Sequence, residues 1–311
     1  MTLHPIPTTS DAWHALRLKH IGASEVGILF GCAPAYAMGP WALWQVKAGY
    51  QPPPDVDSPR EKWGLLLEDA IAGAAAEQEG WQVLPGQYAS RDGLGATLDR
   101  IIAEPGPNDE GCVGPGVLEL KSVDWLVHRR QWGEEPPLHI LLQLQAQLAA
   151  TGYTWGAVAA LVGGHTLQIY RYAARPKVGA EILTRVADFW RSVAENKPPP
   201  IDGSDATTRM ITDLAGPPEE EPLDLSADNE APLLVAELLK IQAERKALEK
   251  EEAERKNRIL AKMGPHVRGE GLGFKITVAV TPEKPDRPAV PGEVIKGRAE
   301  SRRLMVREFA A

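Results

Sequence analysis

The chain has 311 residues, of which 43% are hydrophobic and 24% are charged, and its formal net charge is −8. This composition is typical of a soluble globular protein with one main domain and an appended part. No run approaches the roughly 20 apolar residues that cross a membrane, and residues 1–11 do not resemble a signal peptide. The negative net charge argues against a protein that coats nucleic acid through bulk electrostatics.

The first part of the chain carries helical signals. Residues 11–30 predict a helix, a short turn and a second helix, with Asp11 capping the first helix and Ser24 capping the second. A Pro-rich loop at residues 51–59 precedes a predicted helix over about residues 60–78, which Gly80 ends.

Strand and helix signals then alternate. The predicted strands are 81–84, 96–102, 117–120, 156–162 and 167–172. The predicted helices are 138–151, which has one apolar stripe, and 177–195. This order predicts an α/β (α+β) fold in which helices flank one mixed central sheet.

The composition changes near residue 216. We therefore predict a core at residues 1–215, an acidic Pro-rich linker at 216–231 and an extension at 232–311. The extension begins with a charged helix over 232–263 and continues with an alternating strand over 274–280. We interpret the helix as packed on a surface or in a short coiled coil, and the alternative is contact with DNA or a partner.

The two cysteines give no sign of a metal or disulfide framework. Cys32 and Cys112 are 80 positions apart and cannot make a zinc or iron-sulfur site on their own. We expect both to be reduced thiols.

One acid-x-lysine triplet carries the chemical signal. Glu119 and Lys121 end the strand predicted at 117–120, and strand alternation places both on one face. A carboxylate there can hold Mg²⁺ or Mn²⁺, and an ammonium can orient an attacking water. Asp99 lies 20 residues before Glu119, so a hairpin through the intervening Gly/Pro loop would bring the two carboxylates together.

Alone, such a triplet is more often a solvated strand face. Its context strengthens it, because Glu68 lies on an earlier predicted helix, and Gln143 and Gln145 follow on a later one. Each of these also has a plainer interpretation, as a surface acid or as polar positions of an amphipathic helix.

Several motifs in order now point to a family. They are Asp11-Ala12-Trp13-His14, Leu16-Arg17-Leu18, Ile21-Gly22-Ala23-Ser24-Glu25-Val26, Trp63-Gly64 to Glu68, Ala96-Thr97-Leu98-Asp99, Leu118-Glu119-Leu120-Lys121 and Gln143-Leu144-Gln145. Over about residues 10–195 the chain resembles the lambda exonuclease and YqaJ-like viral recombinase family of the PD-(D/E)xK nuclease superfamily. The resemblance implies a restriction-endonuclease-like sheet flanked by helices.

The resemblance also implies roles for individual residues. Asp99 and Glu119 would bind Mg²⁺ or Mn²⁺ with the backbone carbonyl of Leu120, Lys121 would act on the nucleophilic water, and Gln143 would help to orient them.

Three further residues match family positions. Glu68 would assist a second metal ion or its water shell, and Arg17 and Ser24 would grip a terminal 5′ phosphate. The family's Pro-Asp-Gly appears here as Leu98-Asp99-Arg100, and Arg100 would add a phosphate contact or mark altered specificity.

The implied function is 5′ to 3′ exonuclease action on linear duplex DNA in phage-type recombination. A single-strand annealing protein would be the partner, the chain would form a homo-oligomer such as a trimer, and it would be a cytoplasmic phage or prophage protein in a bacterial host. The alternatives are a structure- or site-specific endonuclease and a non-catalytic DNA-end-binding phage protein. Two cysteines argue against a Cas4-like relative with an iron-sulfur cluster, and no ATP-binding P-loop is present.

Overall fold

A computed structural model describes residues 2–7, 9–53, 59–216, 219–283, 287–290, 293–295 and 301–308. The chain divides into two compact units, Met1–Pro218 and Glu219–Ala311. Residues 54–58 of the predicted Pro-rich loop and residues 217–218 of the predicted linker lie outside the described residues. No helix in the described ranges is long and apolar enough to cross a membrane.

The first unit alternates helices and strands. Its helices are α1 (Ser10–Leu18), α2 (Val26–Leu29), α3 (Pro40–Lys47), α4 (Pro59–Glu79), α5 (Trp125–Gln131), α6 (Leu138–Thr151), α7 (Pro176–Ala194) and α8 (Asp205–Ala215), with a short 3-10 helix at Ala23–Glu25. Its strands are β1 (Thr2–His4), β2 (Ile21–Gly22), β3 (Val83–Pro85), β4 (Tyr88–Arg91), β5 (Leu94–Thr97), β6 (Arg100–Ile102), β7 (Gly116–Val123), β8 (Trp155–Val162) and β9 (Thr166–Ala173).

A five-stranded mixed sheet forms the centre of this unit. Its strand order is β3-β6-β7-β8-β9, and only β7 and β8 run parallel. One face packs against apolar side chains of α4, and the other packs against α6 and α7. The predicted mixed sheet flanked by helices is therefore confirmed. A second sheet, ordered β1-β4-β5-β2, lies in the same unit.

Helix α6 covers one face of the central sheet, and its bounds match the predicted segment. Ile140, Leu144 and Leu148 recur at helical spacing and are buried. The amphipathic pattern in the sequence was therefore enough to predict this helix. Gly152 ends the helix in the left-handed conformation, at φ 71°, which glycine adopts without steric cost.

The helix-turn-helix predicted over residues 11–30 differs in detail. Thr9 rather than Asp11 caps α1, because its side chain accepts a hydrogen bond from the Ala12 N–H. Ser24 does not cap a helix but lies inside the 3-10 helix, so that prediction was wrong. Instead, the Glu25 carboxylate accepts a hydrogen bond from the Gly22 N–H at 2.7 Å, and this contact stabilises the turn.

The strand predicted over 96–102 is two strands. β5 ends at Thr97 in one sheet, and β6 begins at Arg100 in the other. Two residues, Leu98 and Asp99, pass between the sheets, which frees Asp99 from strand pairing. In the first unit, helices α3, α5 and α8 and strands β1, β2 and β4 were not predicted, because short elements produce too few periods to stand out in a sequence.

The second unit contains helix α9 (Ala231–Met263) and strands β10 (Arg268–Gly271), β11 (Phe274–Thr281), β12 (Arg287–Val290), β13 (Glu293–Ile295) and β14 (Ser301–Glu308). The strands form a sheet ordered β10-β11-β14 and a β12–β13 hairpin. Four ion pairs at i,i+4 spacing support α9. The predicted apolar face of α9 is more than half exposed at Leu234, Leu238, Ile241 and Leu248.

Candidate active site

The hairpin of β6 and β7 brings the two predicted carboxylates together. Antiparallel pairing joins Arg100 to Leu118, so the residue before β6 lies beside Glu119. The Asp99 carboxylate accepts the backbone N–H of Leu120 at 2.8 Å, which fixes it against the strand.

Glu119 is nearly inaccessible, with 1% of its surface exposed, yet both of its carboxylate oxygens accept hydrogen bonds. Its Oε1 accepts from the ammonium of Lys121 and, at 2.6 Å, from the amide of Gln143. Its Oε2 accepts from the amide of Gln147 at 2.5 Å. Strand alternation therefore places Lys121 beside Glu119 as predicted, and α6 covers both.

A cavity of about 150 Å³ opens onto these groups. It is lined by Arg17, Gly22, Ala23, Ser24, Tyr88, Gly95, Thr97, Asp99, Glu119, Lys121 and Gln143. Six of the predicted site residues thus share one cavity, although they come from α1, the 3-10 helix, β7, α6 and the segment before β6. At about 30 Å³ for each water, this volume corresponds to roughly five waters, which leaves room for a phosphate group.

The electrostatics of the cavity favour a bound cation. Burial, and then the negative charge of Glu119, raise the pKa of Asp99 to about 8. Burial opposes the charge of Lys121, but Glu119 and Asp99 outweigh it and raise the pKa of this ammonium. Two carboxylates that repel each other when both are ionised are stabilised by a cation bound between them.

The donor set fits a divalent metal ion of the hard, oxygen-binding type. Asp99 and Glu119 supply carboxylate oxygens on adjacent chain segments, and such oxygens are what Mg²⁺ and Mn²⁺ take as ligands. In the described part of the chain, no group of three or more His, Cys, Asp or Glu side chains is arranged so that it could hold a metal ion. The fit therefore rests on this pair, with the Leu120 carbonyl as the predicted third ligand.

The predicted phosphate-binding residues, Arg17 and Ser24, line the same cavity as the two carboxylates. Ser24 is exposed, and the side chain of Arg17 is 40% exposed and stacks over the Trp13 ring at 5.7 Å. The guanidinium is 3.6 Å from Glu25, so it is only partly neutralised. A guanidinium and a hydroxyl are both donors suited to phosphate oxygens.

A buried ion pair that the sequence did not reveal holds this part of the cavity in place. The Lys47 ammonium contacts Glu25 at 2.8 Å and donates to the backbone carbonyls of Arg17 and His20. Its side chain is 3% exposed, and burial, partly opposed by Glu25, lowers its pKa. Lys47 thereby fixes the turn between Arg17 and Ser24.

Glu68 and Arg100 lie outside the residues that line the cavity. Arg100 donates to Glu68 at 3.3 Å, to Asp69 and to the backbone carbonyl of Asp99. Its guanidinium is therefore engaged within the protein rather than presented as the predicted phosphate contact. Burial raises the pKa of Glu68, although Arg100 opposes the shift. The role of Glu68 at a second metal ion stays a prediction.

Gln147 and Thr97 are among the lining or supporting residues that the sequence analysis missed. Gln147 lies four positions after Gln143, so helical spacing could have placed both amides on one face. Thr97 lies two residues before Asp99 and lines the cavity, but no sequence signal separated it from other strand threonines.

Comparison with known proteins supports the family resemblance. Residues 12–154 match the YqaJ-like viral recombinase domain. The uncharacterized protein YqaJ of Bacillus subtilis (strain 168) is 27% identical over 254 residues, which cover 77% of this chain and 76% of that protein.

Solved structures give weaker similarities. An alkaline exonuclease, LHK-Exo from Laribacter hongkongensis, is 16% identical with a TM-score of 0.48, over 66% of this chain and 100% of that chain. A putative exonuclease from Eubacterium rectale is 11% identical with a TM-score of 0.39, over 72% of this chain and 99% of that chain. The match over residues 12–154 confirms the resemblance to the YqaJ-like viral recombinase family that the sequence motifs indicate.

Proposed function

We propose that the chain is a divalent-metal-dependent DNA exonuclease that hydrolyses phosphodiester bonds from the 5′ ends of linear duplex DNA. One observation carries the proposal. The acid pair Asp99 and Glu119 and the ammonium of Lys121 share a cavity of about 150 Å³ with the phosphate-type donors Arg17 and Ser24. A cavity that combines a cleavage centre with a phosphate-binding site suits a DNA strand whose 5′ end lies in that cavity.

The residues divide the chemistry between them. Asp99 and Glu119, with the carbonyl of Leu120, would hold Mg²⁺ or Mn²⁺, which supplies Lewis acidity and stabilises negative charge on the phosphate. Lys121 contacts Glu119 and lines the cavity, so its ammonium can orient the attacking water and neutralise a phosphate oxygen. Gln143 holds Glu119 Oε1 by its amide and keeps this carboxylate turned toward Lys121.

The donors beside the acid pair favour an exonuclease over the endonuclease alternative. Arg17 and Ser24 line the same cavity as Asp99 and Glu119, and a guanidinium and a hydroxyl can bind a terminal 5′ phosphate. An endonuclease has no chain end to bind, so it would not need a phosphate site of this kind beside the cleavage centre. In an exonuclease, Arg17 and Ser24 would bind the end of the strand, while Asp99 and Glu119 would hold the metal ion for hydrolysis of the next phosphodiester.

The family suggests the wider setting. Viral recombinases act on DNA, and a 5′ to 3′ exonuclease leaves a 3′ single strand. We include in the proposal a single-strand annealing protein as partner, a homo-oligomer, and a phage or prophage origin.

The test is digestion of linear duplex DNA labelled separately at each 5′ and 3′ end, with Mg²⁺ and with EDTA, beside a closed circular substrate. Lys121→Ala is the inactive variant, and Lys177→Ala is the matched control because Lys177 is an exposed lysine at the start of α7. We expect loss of the 5′ label with Mg²⁺ in the native protein and the control only.

Two outcomes would replace the proposal. Cutting of the closed circle would favour the endonuclease. Binding of DNA ends without cutting of any substrate would favour a non-catalytic end-binding protein.

A further inference from the structure

The side chain of Gln147 lies in an unusual hydrogen-bonding position next to Glu119. It is fully buried, with 0% of its surface exposed. Its Nε2 donates to Glu119 Oε2 at 2.5 Å and to the backbone carbonyl of Thr97 at 3.1 Å. Its Oε1 is buried and has no hydrogen-bond partner among the described residues.

The surroundings allow this amide only one orientation. Both neighbours of Nε2 are acceptors, so rotating the amide by half a turn would place Oε1 against a carboxylate and a carbonyl. The orientation found here leaves Oε1 without a donor, which costs stability because a buried acceptor has lost its hydrogen bonds with water. The fold therefore accepts a local cost to aim one N–H group at Glu119.

The contact constrains the oxygens of Glu119. With Oε2 held by Gln147, the other oxygen, Oε1, faces Gln143 and Lys121, both of which line the cavity. The second bond of Gln147, to Thr97, ties α6 to the end of β5. Thr97 is two residues before Asp99, so the same amide also supports the segment that carries the second carboxylate.

We propose that Gln147 is a positioning residue that fixes Glu119 for cation binding and that it does so at a cost to the stability of the fold. The inference rests on the proposed function, because it takes Glu119 to be a metal ligand. Hydrogen bonds from outside the ligand shell orient ligands in this way, and their loss typically weakens metal affinity by about 10-fold to 100-fold.

The chain offers a matched control on the same helix. Gln145 is also buried, but its amide bonds to the carbonyl of Ala173 and the N–H of Arg175, away from the cavity. Gln147→Met and Gln145→Met each replace a buried amide by an apolar side chain of similar length. Gln147→Asn keeps the amide but shortens its reach, and it serves if the Met variant does not fold.

The measurements are Mn²⁺ affinity by calorimetry on the full-length protein and thermal unfolding in EDTA. We expect Gln147→Met to weaken Mn²⁺ binding about 10-fold while its unfolding temperature falls no further than that of Gln145→Met. The control should keep the native affinity. DNA cleavage by Gln147→Met should recover as Mn²⁺ is raised.

Native affinity in Gln147→Met, or an equal loss of affinity in both variants, would overturn the inference. These results leave the proposed function intact if the native protein binds Mn²⁺ and cuts DNA. If the native protein binds no Mn²⁺, both proposals fail. If it binds Mn²⁺ without cutting DNA, the exonuclease proposal fails while a loss of affinity in Gln147→Met still supports the role of Gln147.

Discussion

Replacing Asp99 by asparagine should make the metal-free protein more stable at neutral pH, although it removes a ligand of the proposed metal site. Burial and Glu119 raise the pKa of Asp99 to about 8, from 3.8. Between these values the folded state keeps a proton that the unfolded state has released. The free energy of unfolding therefore falls as pH rises through this window, and it levels off above the folded pKa.

The size of the effect follows from the shift. Each pH unit in the window lowers the free energy of unfolding by at most about 1.4 kcal/mol. Between pH 3.8 and pH 7 this gives an upper limit of ~4 kcal/mol. This limit assumes that Asp99 is completely isolated from solvent, whereas Asp99 lines the cavity. We therefore expect Asp99→Asn to gain ~1–2 kcal/mol at pH 7 in EDTA, or about 2–8 °C in unfolding temperature.

The assay is thermal unfolding in EDTA and in Mn²⁺ between pH 5 and pH 8. In EDTA the native protein should lose stability as pH rises, and Asp99→Asn should show a flatter profile. Mn²⁺ should stabilise the native protein increasingly toward pH 8, by ~2.7 kcal/mol at 100 times the Kd, and should not stabilise the variant. A variant that is less stable in EDTA at pH 8, or that keeps the native pH slope, would refute the reasoning.

Three further predictions concern the walls of the cavity. Lys121→Met should abolish DNA cleavage but leave Mn²⁺ binding within a few-fold, because both carboxylates remain; calorimetry beside the cleavage assay checks this. Arg17→Ala should reduce the preference for 5′-phosphorylated over 5′-hydroxyl DNA ends by about 10-fold, because one charge-assisted contact is worth ~1.5–3 kcal/mol. Initial cleavage rates on the two kinds of end measure this preference, and equal rates in the native protein would contradict the prediction. Lys47→Met should lower the free energy of unfolding by at most ~3–5 kcal/mol, because buried Glu25 loses its closest cation and keeps only the Arg17 guanidinium at 3.6 Å and the Gly22 N–H. Urea unfolding measures the loss, and the double variant Lys47→Met/Glu25→Gln should recover part of it.

Local patterns were enough to predict part of the active site. Strand alternation placed Glu119 and Lys121 on one face, and helical periodicity defined α6 over Leu138–Thr151. The spacing of Asp99 from Glu119 predicted their hairpin, because a Gly/Pro loop between two strand signals leaves few other connections.

Other features depended on contacts between distant segments. The Lys47–Glu25 pair joins α3 to the 3-10 helix, and no local pattern distinguishes Lys47 from a solvated helix lysine. The engagement of Arg100 by Glu68 and Asp69 likewise arises only once α4 lies near the start of β6. The sequence by itself therefore determined which residues share one face of a strand or helix, because side-chain directions repeat every two residues in a strand and every 3.6 residues in a helix. Only the tertiary structure decided which buried charges and amides are paired with each other. Burial makes an unpaired polar group costly, and the partners are set by how elements distant in the sequence pack together.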